Sequence, residues 1–259
     1  MKSRNNWTRE ETLLAFYVYS QIPFKESSQS HPLIIEYARI IGRTPAALNM
    51  KIGNLGRHDP ELKKQGISGL THGSKLEVEV WAEFEEDWPG LVEESQKILE
   101  KYRDSSQAKI DGMRYANTEV KARTGLEVTR TVKQRVGQNF FRAAVLSAYY
   151  SRCCITGLDI SELLIASHIV PWSVGSEYRL NPRNGLCLNA LHDKAYDRGL
   201  LTVTPDYVIK ISSLIEENEE QQTIKDCFLK YQDKKITLPD KFRPMKECLE
   251  YHYTTIFKK

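Results

Sequence analysis

Ile165-Ala-Ser-His-Ile-Val-Pro-Trp172 and Asn181-Pro-Arg-Asn-Gly-Leu-Cys-Leu-Asn-Ala-Leu-His-Asp-Lys-Ala-Tyr-Asp197 define the architecture of the C-terminal half. The first stretch holds a brief apolar run that ends at His168. The second holds another apolar run, which begins at Gly185. Because the segment between the two runs is polar and turn-forming, the pattern predicts two short strands joined by a loop.

A short helix should follow the second strand. Asn189 is a suitable N-cap, because its side chain can accept a hydrogen bond from the first helical turn, and Gly199 ends the helix. The order is therefore strand, loop, strand, helix. We expect this order to bring three polar side chains into one small site: His168, Asn184 and His192.

Three segments of this region resemble the HNH, or ββα-metal, endonucleases, in the branch similar to bacterial restriction enzymes. They are Ser167-His-Ile-Val-Pro-Trp172, Asn184-Gly-Leu-Cys187 and Leu191-His-Asp-Lys-Ala-Tyr-Asp-Arg-Gly199. One such segment alone would be a weak signal, whereas three in order at matching spacing are a strong one. The resemblance extends from about Gln134 to the C-terminus, so the first hundred or so residues lie outside it.

The resemblance implies hydrolysis of DNA phosphodiester bonds to 5′-phosphate and 3′-hydroxyl ends. This reaction needs an activated water, neutralisation of the phosphate charge and stabilisation of the leaving oxygen, which one divalent metal ion and one neutral histidine can supply. By resemblance, His168 is the general base and His192 the best candidate for a metal ligand. Asn184 either orients the loop that carries the base or binds the metal.

The remaining metal ligands stay open. Ser167 stands before the base, where many relatives carry Asp or His, and a hydroxyl is a poor replacement for a carboxylate on a hard cation. Asp197 lies five residues after His192, about 140° around a regular helix, so it is a ligand or a residue that orients one. Ser167 is still a candidate ligand, and Asp193 or His252 could complete the shell; otherwise water and phosphate hold most of the metal. Magnesium is the expected ion, with manganese as the substitute.

The composition is that of a globular protein. The chain has 259 residues, of which 41% are hydrophobic and 27% charged, and its net charge is +3. A mildly basic balance is compatible with nucleic acid but does not establish it. The sequence has no apolar run that could cross a bilayer and no apolar signal core at its start, so we expect a cytoplasmic protein without membrane contact.

The cysteines agree with that location. Five cysteines without paired spacing fit a reducing compartment. Cys153 and Cys154 are adjacent and lack the Cys-x-x-Cys spacing of a structural zinc site, and we expect no structural zinc.

The N-terminal half carries helix signals. Thr8-Arg-Glu-Glu11 and Ser74-Lys-Leu-Glu77 are capping boxes, each of which begins a helix. One helix is predicted from Pro32 to Gly42 and another from Pro45 to Gly56, by their prolines and glycines. The short connection between these two is that of a helix-turn-helix.

The second helix of this pair has an apolar inner face formed by Leu48, Ile52 and Leu55. Its polar outer face could enter a DNA major groove, and the alternative is an ordinary helical core with a solvated face. With two arginines from farther along the chain, the predicted DNA contacts are Asn49, Lys51, Arg57, Arg135 and Arg198. Arg198 could equally cap its own helix.

We therefore predict an α+β protein. Residues 1–103 form a helical domain with a helix-turn-helix-like unit for DNA binding or dimerisation, residues 104–134 a linker or basic arm, and residues 135–259 a ββα-metal nuclease domain. Within the last, 200–211 should form a hairpin, and 214–231 and 245–257 helices.

The leading functional prediction is a metal-dependent endonuclease acting on double-stranded DNA, in restriction or defence against foreign DNA. One such site cuts one strand, so double-strand cleavage favours a homodimer. Two alternatives remain: a DNA-binding or regulatory protein with an inactive HNH core, which Ser167 suggests, and an RNA-directed nuclease toxin.

Overall fold

The computed structural model describes the main chain of residues 6–67, 73–111 and 126–259, with the side chains of these residues outside 104–133. The chain divides into two units, Met1–Phe140 and Phe141–Lys259. The predicted α+β class is confirmed, because the described part of the first unit is helical and two small antiparallel sheets lie in the second.

Four helices of the first unit begin at the proline, or directly after the capping residue, that the sequence predicts. In chain order the helices up to the division are α1 (Arg9–Gln21), α2 (Pro32–Ile40), α3 (Pro45–Gly56), α4 (Pro60–Lys64), α5 (Lys75–Phe84), α6 (Trp88–Asp111) and α7 (Leu126–Ala148), and the division falls within α7. The second unit continues with β1 (Leu164–His168), β2 (Gly185–Asn189), α8 (Ala190–Asp197), β3 (Leu201–Val203), β4 (Ile209–Ile211), α9 (Ser213–Glu216), α10 (Gln222–Cys227) and α11 (Lys246–Tyr251).

Helix α1 is the centre of the first unit. All side chains from residue 11 to residue 20 are buried, because α2, α3, α5 and α6 pack around it. Its predicted capping box is confirmed: Thr8 Oγ1 accepts from the Glu11 N–H at 3.2 Å, and Glu11 Oε2 accepts from the Thr8 N–H at 2.9 Å. The second capping box, of Ser74 and Glu77, is also present.

Helices α2 and α3 pack against each other, as expected for a helix-turn-helix. Gly42 in their connection has a φ of +70°, which favours glycine. Thr44 caps α3, and its predicted inner face of Leu48, Ile52 and Leu55 is fully buried. The predicted boundaries of both helices are therefore confirmed.

The segment predicted as a linker, 104–134, is helical at both of its ends. Helix α6 continues to Asp111, α7 begins at Leu126, and residues 112–125 lie outside the described residues. The segment is polar, but long polar side chains have good helix propensity, so a lack of large apolar residues did not require irregular backbone. The side chains of the predicted basic arm up to residue 133 also lie outside the described residues, and Arg135 is exposed on α7.

Strands β1 and β2 pair in antiparallel register, with His168 opposite Gly185, and α8 packs against both strands. Asn189 caps α8 as predicted, since its Oδ1 accepts from the His192 N–H at 2.9 Å. Gly199 ends the helix with a φ of +69°. A Cβ there would lie 2.1 Å from the carbonyl oxygen of Ile256, so only glycine fits.

The rest of the second unit follows the prediction in part. Strands β3 and β4 form the expected hairpin, and α11 continues through a π-helical turn, His252–Ile256. The helix predicted over 214–231 is instead the two short helices α9 and α10. In a continuous helix, four glutamates would repel one another at spacings of three and four residues, which disfavours an unbroken helix here: Glu216, Glu217, Glu219 and Glu220. None of the described helices is both long and apolar enough to span a membrane.

Candidate functional site

His168 is held by two aromatic rings and one hydrogen bond at the end of β1. Its ring stacks on Phe141, with centroids 3.8 Å apart and an 8° interplanar angle, and meets Trp172 edge-on at 5.6 Å. Nε2 lies 3.0 Å from the carbonyl oxygen of Arg179. Because a carbonyl only accepts, Nε2 carries the hydrogen, and Nδ1 of the neutral ring is left with a lone pair.

The protonation state of His168 suits a base. Burial lowers the pKa of His168 below its ordinary value, while the Arg179 carbonyl and the Asp197 carboxylate act in the opposite direction without cancelling the effect. The imidazole is therefore largely neutral near pH 7. A neutral ring in a fixed orientation, with a lone pair on Nδ1, can accept a proton from water.

Asn184 fixes the loop that follows His168. Its side chain is fully buried; Oδ1 accepts from the Val170 N–H at 2.8 Å, and Nδ2 donates to the carbonyls of Val170 and Tyr178 at 3.0 and 3.3 Å. The main-chain carbonyl of Asn184 accepts from the Ile169 N–H at 2.9 Å. Of the two roles predicted for Asn184, this geometry favours orienting the loop.

Two carboxylates face the same site from α8. Asp193 and Asp197 are four residues apart, which places them on one face of the helix. Burial raises the pKa of Asp193, the Ser167 hydroxyl lowers it, and the charge of Asp197 raises it. The charge of Asp197 also acts to raise the pKa of His168. These electrostatic effects link the strand residues Ser167 and His168 with both carboxylates.

The Ser167 hydroxyl is the unsatisfied polar group of this site. Ser167 is 2% exposed, and its Oγ makes no hydrogen bond of standard geometry to the described residues. The hydroxyl is still close enough to Asp193 to favour the charged form of that carboxyl. An unsatisfied buried hydroxyl costs about 1–3 kcal/mol. A cation, or a water bound to one, would satisfy it and would also relieve the repulsion between the two carboxylates.

The donors at this site fit a hard cation. Carboxylate oxygens suit Mg²⁺, which keeps several waters and is commonly held by one or two carboxylates together with substrate phosphate. Among the described residues, no group of three or more His, Cys, Asp or Glu side chains has a metal-binding arrangement. Asp193 and Asp197 are the carboxylates that could hold such an ion, together with water and phosphate.

His192 does not join this group, contrary to the prediction that it binds the metal. The ring is 1% exposed, with Nε2 2.6 Å from the carbonyl oxygen of Cys227 and Nδ1 3.3 Å from Nδ2 of Asn189. Phe228 and Tyr231 meet the ring edge-on at 5.4 and 5.7 Å. Both ring nitrogens are therefore engaged in hydrogen bonds.

The direction of His192 follows from helix geometry. Successive residues of a helix differ by about 100°, so the side chain before Asp193 points to another face than the Asp193–Asp197 pair. The four-residue spacing of the two aspartates was the sequence signal that they share a face of α8. His252, another alternative ligand, is also structural: it bonds Thr202 Oγ1 at 2.8 Å and the Tyr196 carbonyl at 3.1 Å.

The predicted DNA contacts have different surroundings. Lys51 is 5% exposed and its Nζ lies 2.6 Å from Oε1 of the buried Glu77, so it is an internal cation of the first unit and not an available phosphate contact. Asn49 is half-buried and accepts from the Ser27 hydroxyl at 2.6 Å. Arg57 is also half-buried, while Arg135 and Arg198 are exposed.

Comparison with known families identifies the segment that forms the site. Residues 153–204 match the family described as HNH endonuclease. The matched segment includes β1, β2, α8 and β3, and with them His168, Asn184 and both aspartates. No curated protein matches the chain.

Proposed function

We propose that this nuclease, a phosphodiester hydrolase whose residues 153–204 form an HNH endonuclease domain, is a metal-dependent endonuclease of double-stranded DNA. One observation carries the proposal: the neutral His168, with a lone pair on Nδ1, lies in the same site as Asp193 and Asp197. A base beside paired oxygen donors is what phosphodiester hydrolysis requires.

The chain's own residues divide the work as follows. His168 Nδ1 accepts the proton of the attacking water, while stacking on Phe141 and the Arg179 carbonyl fix its ring. Asn184 holds the loop after the base in place. Asp193 and Asp197 hold the divalent ion, for which Mg²⁺ is our choice and Mn²⁺ the substitute. When bound, the ion neutralises the phosphate and stabilises the leaving 3′-oxygen, which leaves 5′-phosphate and 3′-hydroxyl ends.

The first unit is proposed to hold the DNA through α3. Met50 on its outer face is 60% exposed, and a Cβ on Gly53 would meet no atom within 4 Å. Glycine inside a helix costs about 1 kcal/mol relative to alanine, and no contact within the described residues requires it there. Close approach of a DNA backbone supplies a reason, with Asn49 and Arg57 beside it.

The biological role proposed is restriction or defence against foreign DNA, carried out in the cytoplasm by a homodimer. One catalytic site cuts one strand, so a two-fold dimer accounts for a double-strand cut. All five cysteines are free, which agrees with a reducing compartment. The exposed Arg135 and Arg198 are further candidates for phosphate contacts.

A plasmid assay tests this function. Purified protein should convert supercoiled DNA to nicked or linear DNA in Mg²⁺ or Mn²⁺ and not in EDTA, and DNA ligase should reseal the products. No cleavage of methylated or unmethylated DNA, with DNA binding retained, would favour the inactive regulatory protein. Preferential digestion of RNA in a parallel reaction would favour the toxin.

A further inference from the structure

Four polar side chains meet on the side of α8 that faces away from the aspartates. Asn189 Nδ2 lies 3.8 Å from Cys153 Sγ, 3.4 Å from Thr156 Oγ1 and 3.3 Å from His192 Nδ1. We call Cys153, Thr156, Asn189 and His192 the polar clasp.

The ring of His192 also connects the polar clasp to a third segment. Its Nε2–H donates to the Cys227 carbonyl at 2.6 Å, which leaves Nδ1 as the acceptor for Asn189. The ring therefore joins the start of α8 to the end of α10 and, through Asn189, to the turn before β1. A hydrophobic ring such as phenylalanine would fill the same volume but would make none of these bonds.

The orientation of α8 depends on such contacts. The helix has eight residues, Ala190–Asp197, and helices this short are not stable alone in water. Its N-terminal turn is held by the polar clasp, and Asp193 follows His192 directly. A rotation of this turn would move both carboxylates relative to His168 and Ser167.

We propose that His192 is a positioning residue of the nuclease site. It sets the rotation of α8 through the polar clasp and Cys227, and thereby the placement of the two aspartates that hold the cation. The proposal rests on the proposed function, because it assigns the cation to Asp193 and Asp197. It differs from a ligand role, since both nitrogens of His192 are already bonded within the protein.

The test measures metal affinity directly, by calorimetric titration of the full chain with Mn²⁺, alongside cleavage. H192F keeps the ring shape and removes both hydrogen bonds, and we expect its Kd for Mn²⁺ to rise about tenfold to hundredfold, as for other residues that orient ligands. H192Q retains an amide that can donate to Cys227, so its Kd should be intermediate. D197N removes a ligand and should reduce binding below detection.

A matched control separates positioning from packing. I211A truncates a side chain of β4 that is 5% exposed in the same unit, and it should lower the Tm without changing the Kd. Equal affinities of wild type and H192F, or a Kd that follows the Tm in H192F, H192Q and I211A alike, would overturn the proposal. Loss of binding in H192F and H192Q as complete as in D197N would make His192 a ligand and overturn it as well.

Failure of the proposed function has its own signature. Wild-type protein that neither binds Mn²⁺ nor cleaves DNA overturns the function and this inference together. Wild-type protein that binds Mn²⁺ and cleaves DNA, with H192F unchanged in Kd, overturns the inference alone. If H192F does not fold, the comparison of H192Q with I211A decides.

Discussion

The side chain of Asn184 forms two hydrogen bonds with the main chain of Val170: its Oδ1 accepts from the N–H at 2.8 Å, and its Nδ2 donates to the carbonyl at 3.0 Å. Val170 lies two residues after His168. The amide thus fixes the chain where it leaves β1, and with it the direction of the base.

We therefore predict a selective loss of activity in N184D. The new carboxylate oxygen would face the carbonyls of Val170 and Tyr178 in place of the donating amide, at a cost of about 1–3 kcal/mol. Initial cleavage rates should fall at least tenfold. N181D is the control, because Asn181 is also buried and, among the described residues, its side chain only accepts, from the Arg183 N–H at 2.9 Å. Equal losses in both variants would contradict the role of Asn184.

Replacement of the base should remove most of the activity. H168A is expected to slow cleavage by about 10²–10⁴-fold, the usual contribution of general acid–base catalysis. The Kd for Mn²⁺ should change little, because His168 is not proposed as a ligand. Undiminished cleavage by H168A would remove His168 from the mechanism.

The pH dependence of cleavage should report the neutral form of His168. Since burial lowers its pKa, the active neutral form should persist below pH 6.5, and the rate should fall only as the pH drops through the lowered value. The measurement is kcat/KM from pH 5 to 8 at saturating Mg²⁺. A rate that already declines well above pH 7 would contradict the assignment.

The two aspartates should destabilise the metal-free protein by their mutual repulsion and stabilise the metal-bound protein by holding the ion. Without metal, D193N removes a carboxyl whose pKa is raised by burial and by Asp197, so its Tm should rise slightly. With Mg²⁺ the wild type should gain about 1.4 kcal/mol at ten times its Kd, and D193N and D197N should gain less. A Tm that does not respond to Mg²⁺ in the wild type would argue against a site there.

His252 should make folding pH-dependent. Burial lowers its pKa to about 4 in the folded protein, from 6.5. The unfolded chain therefore binds more protons between these two pH values. The free energy of unfolding has its full contribution from neutral His252 above pH 6.5, and this contribution is lost as the pH falls towards 4, by about 3 kcal/mol in total. In H252F, the free energy of unfolding measured with urea should depend less on pH over this range. An unchanged slope in H252F would assign the dependence to other groups.

The Lys51–Glu77 ion pair should stabilise the first unit without contributing to DNA binding. K51M leaves a buried carboxylate and should cost about 3–5 kcal/mol, and the double variant K51M/E77Q should cost less than the sum of the single changes. The salt dependence of DNA binding should be the same in K51M and wild type, because no phosphate contact is lost. A shallower salt slope in K51M would return Lys51 to the DNA-binding surface.

Local signals in the sequence predicted the element boundaries well. Thr8, Thr44 and Asn189 cap helices, and Gly42 and Gly199 end them, through contacts made within a few residues. The positions of His168 and of the loop after it were also predictable, because His168 and Asn184 lie within one continuous pattern.

Two site predictions depended on partners far along the chain. His192 is turned towards Cys227, 35 residues later, and Lys51 towards Glu77, 26 residues later. Neither partner follows a recognisable spacing, so the direction of these two side chains could not be predicted from the sequence. The interrupted helix after β4 was missed because its apolar spacing did not reveal the effect of clustered acidic charge.

The hydrogen bonds that later residues make to the matched segment limit how it could be reused. The Thr237 N–H donates to the Cys154 carbonyl at 2.8 Å, the Met245 N–H to the Arg183 carbonyl at 3.0 Å, and Cys227 accepts from His192. Residues 153–204 therefore do not form an independent folding unit that could be moved into another protein. A chimaeric enzyme built from this chain would need to carry the whole of 141–259 across the fusion.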